Sequence, residues 1–171
     1  MSIKNIGTIL SMLLVVSFFA TACNGKAGDM QSGDKMNPGD FTVEAEKIVG
    51  GIEIGWGMDF LPNGDMLVTE KSGKVYRISN GEIVAEITEG IPSDLQVNGQ
   101  GGFMDIALHP DYEENGWIYF SYASSAGEGE GSNTAIMRAK LNDNALVDGE
   151  VLYKAEPNST RGQHYGSRIV F

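Results

Sequence analysis

Three turn dipeptides limit what this chain can fold into. Asn63-Gly64, Ser72-Gly73 and Asn80-Gly81 cut residues 56–87 into apolar segments of five or six residues, too short for helices and of strand length. Asn-Gly suits a tight type I′ hairpin, in which both central residues need φ > 0. The spacing predicts a four-stranded antiparallel meander: Trp56–Leu61, Met66–Glu70, Lys74–Ile78 and Ile83–Ile87. Beyond residue 22 no segment carries a convincing helical period.

The pattern then returns. Met58-Asp59-Phe60-Leu61-Pro62-Asn63-Gly64 is echoed by Met104-Asp105-Ile106-Ala107-Leu108-His109-Pro110. After a longer turn at 111–116, Trp117–Tyr122 stands where Met66–Glu70 stood. Phe60, Leu108 and Phe171 mark the same place in three units, at intervals of 48 and 63 residues, the second lengthened by the loops 124–133 and 156–163, and Phe60 and Leu108 are expected to be buried there. A four-stranded unit repeating at such a period is the sequence sign of a β-propeller blade. The expected fold is all-β: two blades and the first strand of a third, 167–171. A ring closes with at least about four blades, so 41–171 reads as the N-terminal part of a longer propeller. A sandwich of hairpins spaces its strands similarly and stays open as the alternative.

Chemistry is expected where flexible loops feed rigid strands. Gly99-Gln100-Gly101-Gly102 runs directly into the apolar Phe103–Leu108, and its glycines permit φ > 0 and close backbone approach. They do not make a dinucleotide fingerprint, which follows a strand and opens a helix. The two histidines, His109 and His164, are the side chains suited to neutral-pH base work. His109 precedes a proline and reads as a turn residue. His164 lies in a polar, glycine-flanked loop that occupies, one blade later, the place of Gly99–Gly102. In a propeller both loops face one end of the central channel, which would put Gln100 and His164 in one pocket. Trp56 and Trp117 sit in strands and read as blade packing.

The ends and the charge speak to location. Lys4, an apolar run from Ile9 to Ala20 and Ala20-Thr21-Ala22 precede the lone Cys23. That run is short of the roughly 20 residues a bilayer span needs, and small residues before a cut are those of an export signal. Residues 1–22 are expected to be a lipoprotein signal peptide resembling a bacterial lipobox, with Ala20 in place of the usual Leu. Cys23 would then be lipidated, and 23–40, rich in Gly, Asp, Ser and Lys, would be a disordered tether. Asn24 after the cysteine favours the outer membrane, on its periplasmic or cell-surface side. With Lys4 removed, 11 Lys and Arg face 23 Asp and Glu, a formal charge of −12. No basic patch exists for nucleic acid, and a single cysteine leaves no intrachain disulfide.

Trp56–Gly64, Gly99–Pro110 and His164-Tyr165-Gly166-Ser167-Arg168-Ile169-Val170-Phe171, in this order and spacing, resemble the soluble pyrroloquinoline-quinone (PQQ)-dependent aldose sugar dehydrogenases of the glucose/sorbosone dehydrogenase family. The resemblance implies a six-bladed propeller and PQQ-dependent oxidation of aldose sugars to lactones by hydride transfer to the quinone. His164 would be the general base at the anomeric hydroxyl, since an imidazole near neutrality suits that proton transfer. Gln100 would contact quinone and sugar. The family places calcium beside the quinone as a Lewis acid, but its ligands, and the Lys and Arg that grip the quinone carboxylates, would fall beyond residue 171, so no metal ligand is assigned here. The best-known members carry Asp just before the catalytic histidine; Gln163 stands there, on the substrate and cofactor side, and would support the imidazole less well. The implied partners are an aldose, an electron acceptor and, through lipid alone, a membrane. A non-catalytic carbohydrate-binding or interaction propeller is the alternative.

Overall fold

Eight strands form two four-stranded antiparallel sheets in a computed structural model that describes residues 44–171. The expected signal peptide, Cys23 and the 23–40 tether lie outside the described residues. The first sheet runs β1 (Gly55–Phe60), β2 (Met66–Glu70), β3 (Lys74–Ser79), β4 (Glu82–Ile87). The second runs β5 (Phe103–Leu108), β6 (Trp117–Ser124), β7 (Asn133–Asn142), β8 (Ala145–Lys154). In each, neighbours in sequence are neighbours in space. These are two blades of a β-propeller, with all four strands predicted for the first blade present to within a residue at each end.

The turns divide. Asn80 and Gly81 both take positive φ, 51° and 81°, as a type I′ hairpin requires. At Asn63-Gly64 only the glycine does. There Leu61 N–H donates to Asp65 O and Gly64 N–H to Leu61 O, each at 2.8 Å, and the Asn63 side chain accepts the Asp65 N–H at 3.1 Å. A side-chain-capped turn has displaced the tight one. It also orients Asp65, whose carboxyl is held below its ordinary range by hydrogen bonds from Ser79, Arg77 and Asn63. The turn at 111–116 contains one helical turn, Tyr112–Asn115, absent from the sequence reading and closed by Gly116 at φ 69°.

Pairing register fixes the repeat. Phe60 faces Met66 and Leu108 faces Ile118, and β1 and β5 slip at matching places, Gly55/Met58 and Phe103/Ile106. The blades therefore superpose with an offset of 48, so the Met58-Asp59 and Met104-Asp105 echo is out of structural register by two residues. Asp59 and Asp105 still do one job, because side chains two apart share a strand face. Asp59 Oδ2 accepts the N–H of Leu108 and Asp105 Oδ2 that of Ile169, both at 2.7 Å.

Residues 167–171, expected as a strand, are in none; a strand needs a hydrogen-bonded neighbour, and no described residue supplies one. They nonetheless sit on the second blade as β5 sits on the first. Thr69 Oγ1 accepts Gly57 N–H at 2.9 Å and donates to Met104 O; Ser121 Oγ accepts Asp105 N–H at 3.0 Å and donates to Ser167 O at 2.8 Å. At offsets of 48 and 63, Gly57 matches Asp105 and Met104 matches Ser167. The same hydroxyl bridge thus joins one inner strand to the next twice over.

The core lies between the blades. Leu61, Leu67, Val75 and Ile87 of the first meet Phe103, Ile106, Ile118, Phe120, Tyr122, Ala135 and Met137 of the second, with Phe103 and Phe120 stacked at 5.1 Å. Leu108 packs against this core. Phe60, at the same position one blade earlier, is 55% exposed, contrary to the expectation of burial. This position faces the preceding blade, and no described blade precedes β1.

Candidate functional site

The chain direction brings the loops before β5 and before Ser167 to one end of the sheets, opposite the turns at 61–65 and 109–116. Gly99, Gly162 and His164 take positive φ, 56°, 65° and 62°. The loops meet through two hydrogen bonds: Gln100 N–H donates to Gly162 O at 2.7 Å, and His164 N–H donates to Gln100 Oε1 at 2.9 Å. A Cβ on Gly99 would lie 2.1 Å from Gly162 O, so only glycine permits this approach. Lys71 Nζ ties Gly99 O back to the first blade.

Gln100 and His164, 64 residues apart, line one cavity of about 350 Å³ with Trp56, Met104, Tyr165, Gly166 and Ser167. Trp56, Met104 and Ser167 are the same position in three successive units, at offsets of 48 and 63. Trp56 Nε1 reaches Ser167 Oγ at 3.4 Å. The wall is aromatic, thioether and polar, with no Asp, Glu, Lys or Arg among its lining residues. Gln100 Oε1 accepts the His164 N–H, and the exposed His164 side chain lies at the cavity. Such an arrangement can hold a polar ligand without adding charge and present one titratable nitrogen base to it.

Gln163 is exposed and is not among the lining residues. His109 is the turn residue expected: its Nδ1 accepts Asp111 N–H at 3.0 Å, at the opposite end from the cavity. Trp117 lies under Arg138 and Lys140, 4.2 and 4.6 Å from its ring centre. Trp56, read as blade packing, is instead a wall of the cavity. Met104, Tyr165 and Ser167 also escaped the sequence reading. The signal for three of these four was the 48 and 63 offsets, which carry Trp56 onto Met104 and Ser167 once the register is right. Among the described residues no three or more His, Cys, Asp or Glu side chains converge as a metal group.

A β-propeller whose inner-strand loops bring a glutamine and a histidine to one cavity at a single end is the class this geometry defines. The family model described as Glucose / Sorbosone dehydrogenase matches residues 52–171. The chain belongs to the glucose/sorbosone dehydrogenase family. It is 30% identical over 133 residues to the aldose sugar dehydrogenase YliI of Escherichia coli, covering 76% of this chain and 35% of that protein. An uncharacterised protein of Synechocystis sp. is 35% identical over 136 residues, 75% of this chain and 32% of the relative. The chain thus spans about a third of the length of these relatives. Among solved structures, the apo-form of the soluble E. coli aldose sugar dehydrogenase superposes with a TM-score of 0.64 at 30% identity, over 70% of this chain and 35% of that one. A PQQ-bound aldose sugar dehydrogenase from Streptomyces coelicolor shares the fold, with a TM-score of 0.60 at 23% identity over 72% and 36%.

Proposed function

We propose that the intact protein oxidises aldose sugars to lactones at this cavity, with PQQ as the hydride acceptor. The observation that carries the reading is the His164 N–H to Gln100 Oε1 bond at 2.9 Å, which joins two loops of different blades at one cavity. The lining fits part of such a cofactor's surroundings: Trp56 and Met104 offer apolar surface to a planar ring and Gln100 a neutral donor. When bound, PQQ supplies the two-electron acceptor for the hydride that leaves sugar C1. His164 takes the proton of the anomeric hydroxyl onto its imidazole, so hydride and proton leave the sugar together and the lactone remains. Gln100 orients the sugar by its amide. Calcium as a Lewis acid, and cations to hold the quinone carboxylates, would have to come from groups other than the lining residues of this cavity. An external acceptor must then remove the electrons, and export with a lipid on Cys23 would place the reaction outside the cytoplasm.

The test is quinone-dependent aldose oxidation by the intact protein supplied with PQQ and calcium. Lactone formation that requires the quinone is expected. Sugar binding without quinone-dependent turnover would instead make the propeller a carbohydrate-binding module.

A further inference from the structure

We propose that Tyr165 is a positioning residue for His164, held in place by Ser132 and by the absence of a side chain at Gly101. This deepens the proposed function and rests on it. His164 has φ 62°, a left-handed conformation that costs a non-glycine residue energy and persists only where its surroundings hold it. The hydrogen bond from its own N–H goes to a mobile type of group, the Gln100 amide. The firmer hold is one residue on. Tyr165 Oη is 2.7 Å from Ser132 Oγ, and Tyr165 O accepts the Thr134 hydroxyl at the start of β7. Ser132 is 2% exposed and is fixed without help from Tyr165, since it exchanges N–H···O bonds with Ser159, each at 3.1 Å. The tyrosine ring fills the space under Gly101, where a Cβ would come within 2.7 Å of Cζ and 2.8 Å of Cε2.

One side chain therefore touches the Gln100 loop, adjoins the His164 backbone and is pinned to the frame of the second blade. A loop bearing a general base needs such a pin, because a displacement of about 1 Å can cost up to about 100-fold in rate. The Tyr165 hydroxyl, engaged with Ser132 Oγ, acts through the placement of His164 rather than on the sugar.

Tyr165→Phe and Ser132→Ala, made singly and together in the intact protein, test this. Each single change should lower kcat about tenfold with KM altered by no more than about twofold. The double variant should be no worse than either single one, and the pH profile should keep its shape. Amide hydrogen exchange in a peptide spanning 161–168 should quicken several-fold while the strands of the second blade keep their protection. A wild-type kcat and unchanged exchange in Tyr165→Phe would overturn the assignment. So would a rise in KM alone, which marks a substrate contact, or a loss of protection throughout the blade, which marks plain structural support. If the wild-type protein oxidises no aldose, the proposed function fails and the exchange result alone decides the role of Tyr165.

Discussion

Thr69 shows how much one hydroxyl does here. It is fully buried, accepts the Gly57 N–H at 2.9 Å and donates to Met104 O. Thr69→Val keeps the shape and strands both backbone groups, a loss of about 1–3 kcal/mol, measurable as a lower denaturation midpoint of the intact protein. Asp65 adds a pH-dependent term. Its folded pKa is depressed, first by Ser79 and then by Arg77 and Asn63, so its contribution is present above the ordinary carboxylate range and lost as pH falls through the folded value. Asp65→Asn should therefore destabilise the protein at neutral pH, with the difference closing below about pH 4. Gln163→Asp should raise kcat if an acid at that position supports the imidazole; unchanged kcat would dissociate residue 163 from the chemistry, as its place off the cavity wall suggests. The meeting of His164 and Gln100 at one cavity was legible in sequence because the repeat places both loops at the same end of successive blades. Tyr165 was not, since its importance lies in contacts with Ser132 and Gly101 that no local pattern records.

Strands were legible because period-2 segments bounded by turn residues leave few alternatives. Turn types were less so. Asn80-Gly81 obeys its dipeptide, whereas Asn63-Gly64 yields to Asp65 two residues from the asparagine. The repeat was visible, but the Met-Asp echo misled by two residues, because two aspartates on one strand face reach the next inner strand equally well. The hydroxyl bridge recurs as Ser121 between Asp105 and Ser167. Ser121→Ala should loosen the segment that follows His164 more than it lowers global stability. Faster exchange in residues 165–171, with the strands of the first blade unaffected, is the expected readout. The one-turn helix at Tyr112–Asn115 gave no sequence signal because four residues cannot show a period.

Each blade needs a neighbour on both faces. Met58 and Phe60, 51% and 55% exposed, lie on the face of the first blade turned away from the second. On the far side of the second blade Phe171 already packs edge-on against Tyr119 at 5.0 Å. These faces fit the place of the chain in a family whose matched relatives align with it over only about a third of their own length. They show why blade architecture could be read from two repeated units, whose turns and register lie within the chain. At the other end of the chain, mass spectrometry of protein isolated from bacterial membranes should find Cys23 acylated and N-terminal; a mature form beginning elsewhere would remove the lipid anchor. The proposed chemistry turns on His164, and the most direct measurement is the aldose-oxidation kcat of the intact His164→Ala protein, taken alongside its quinone affinity. A fall of about 10²–10⁴-fold with quinone binding retained is the expected result for loss of a general base, and wild-type turnover in His164→Ala would contradict it.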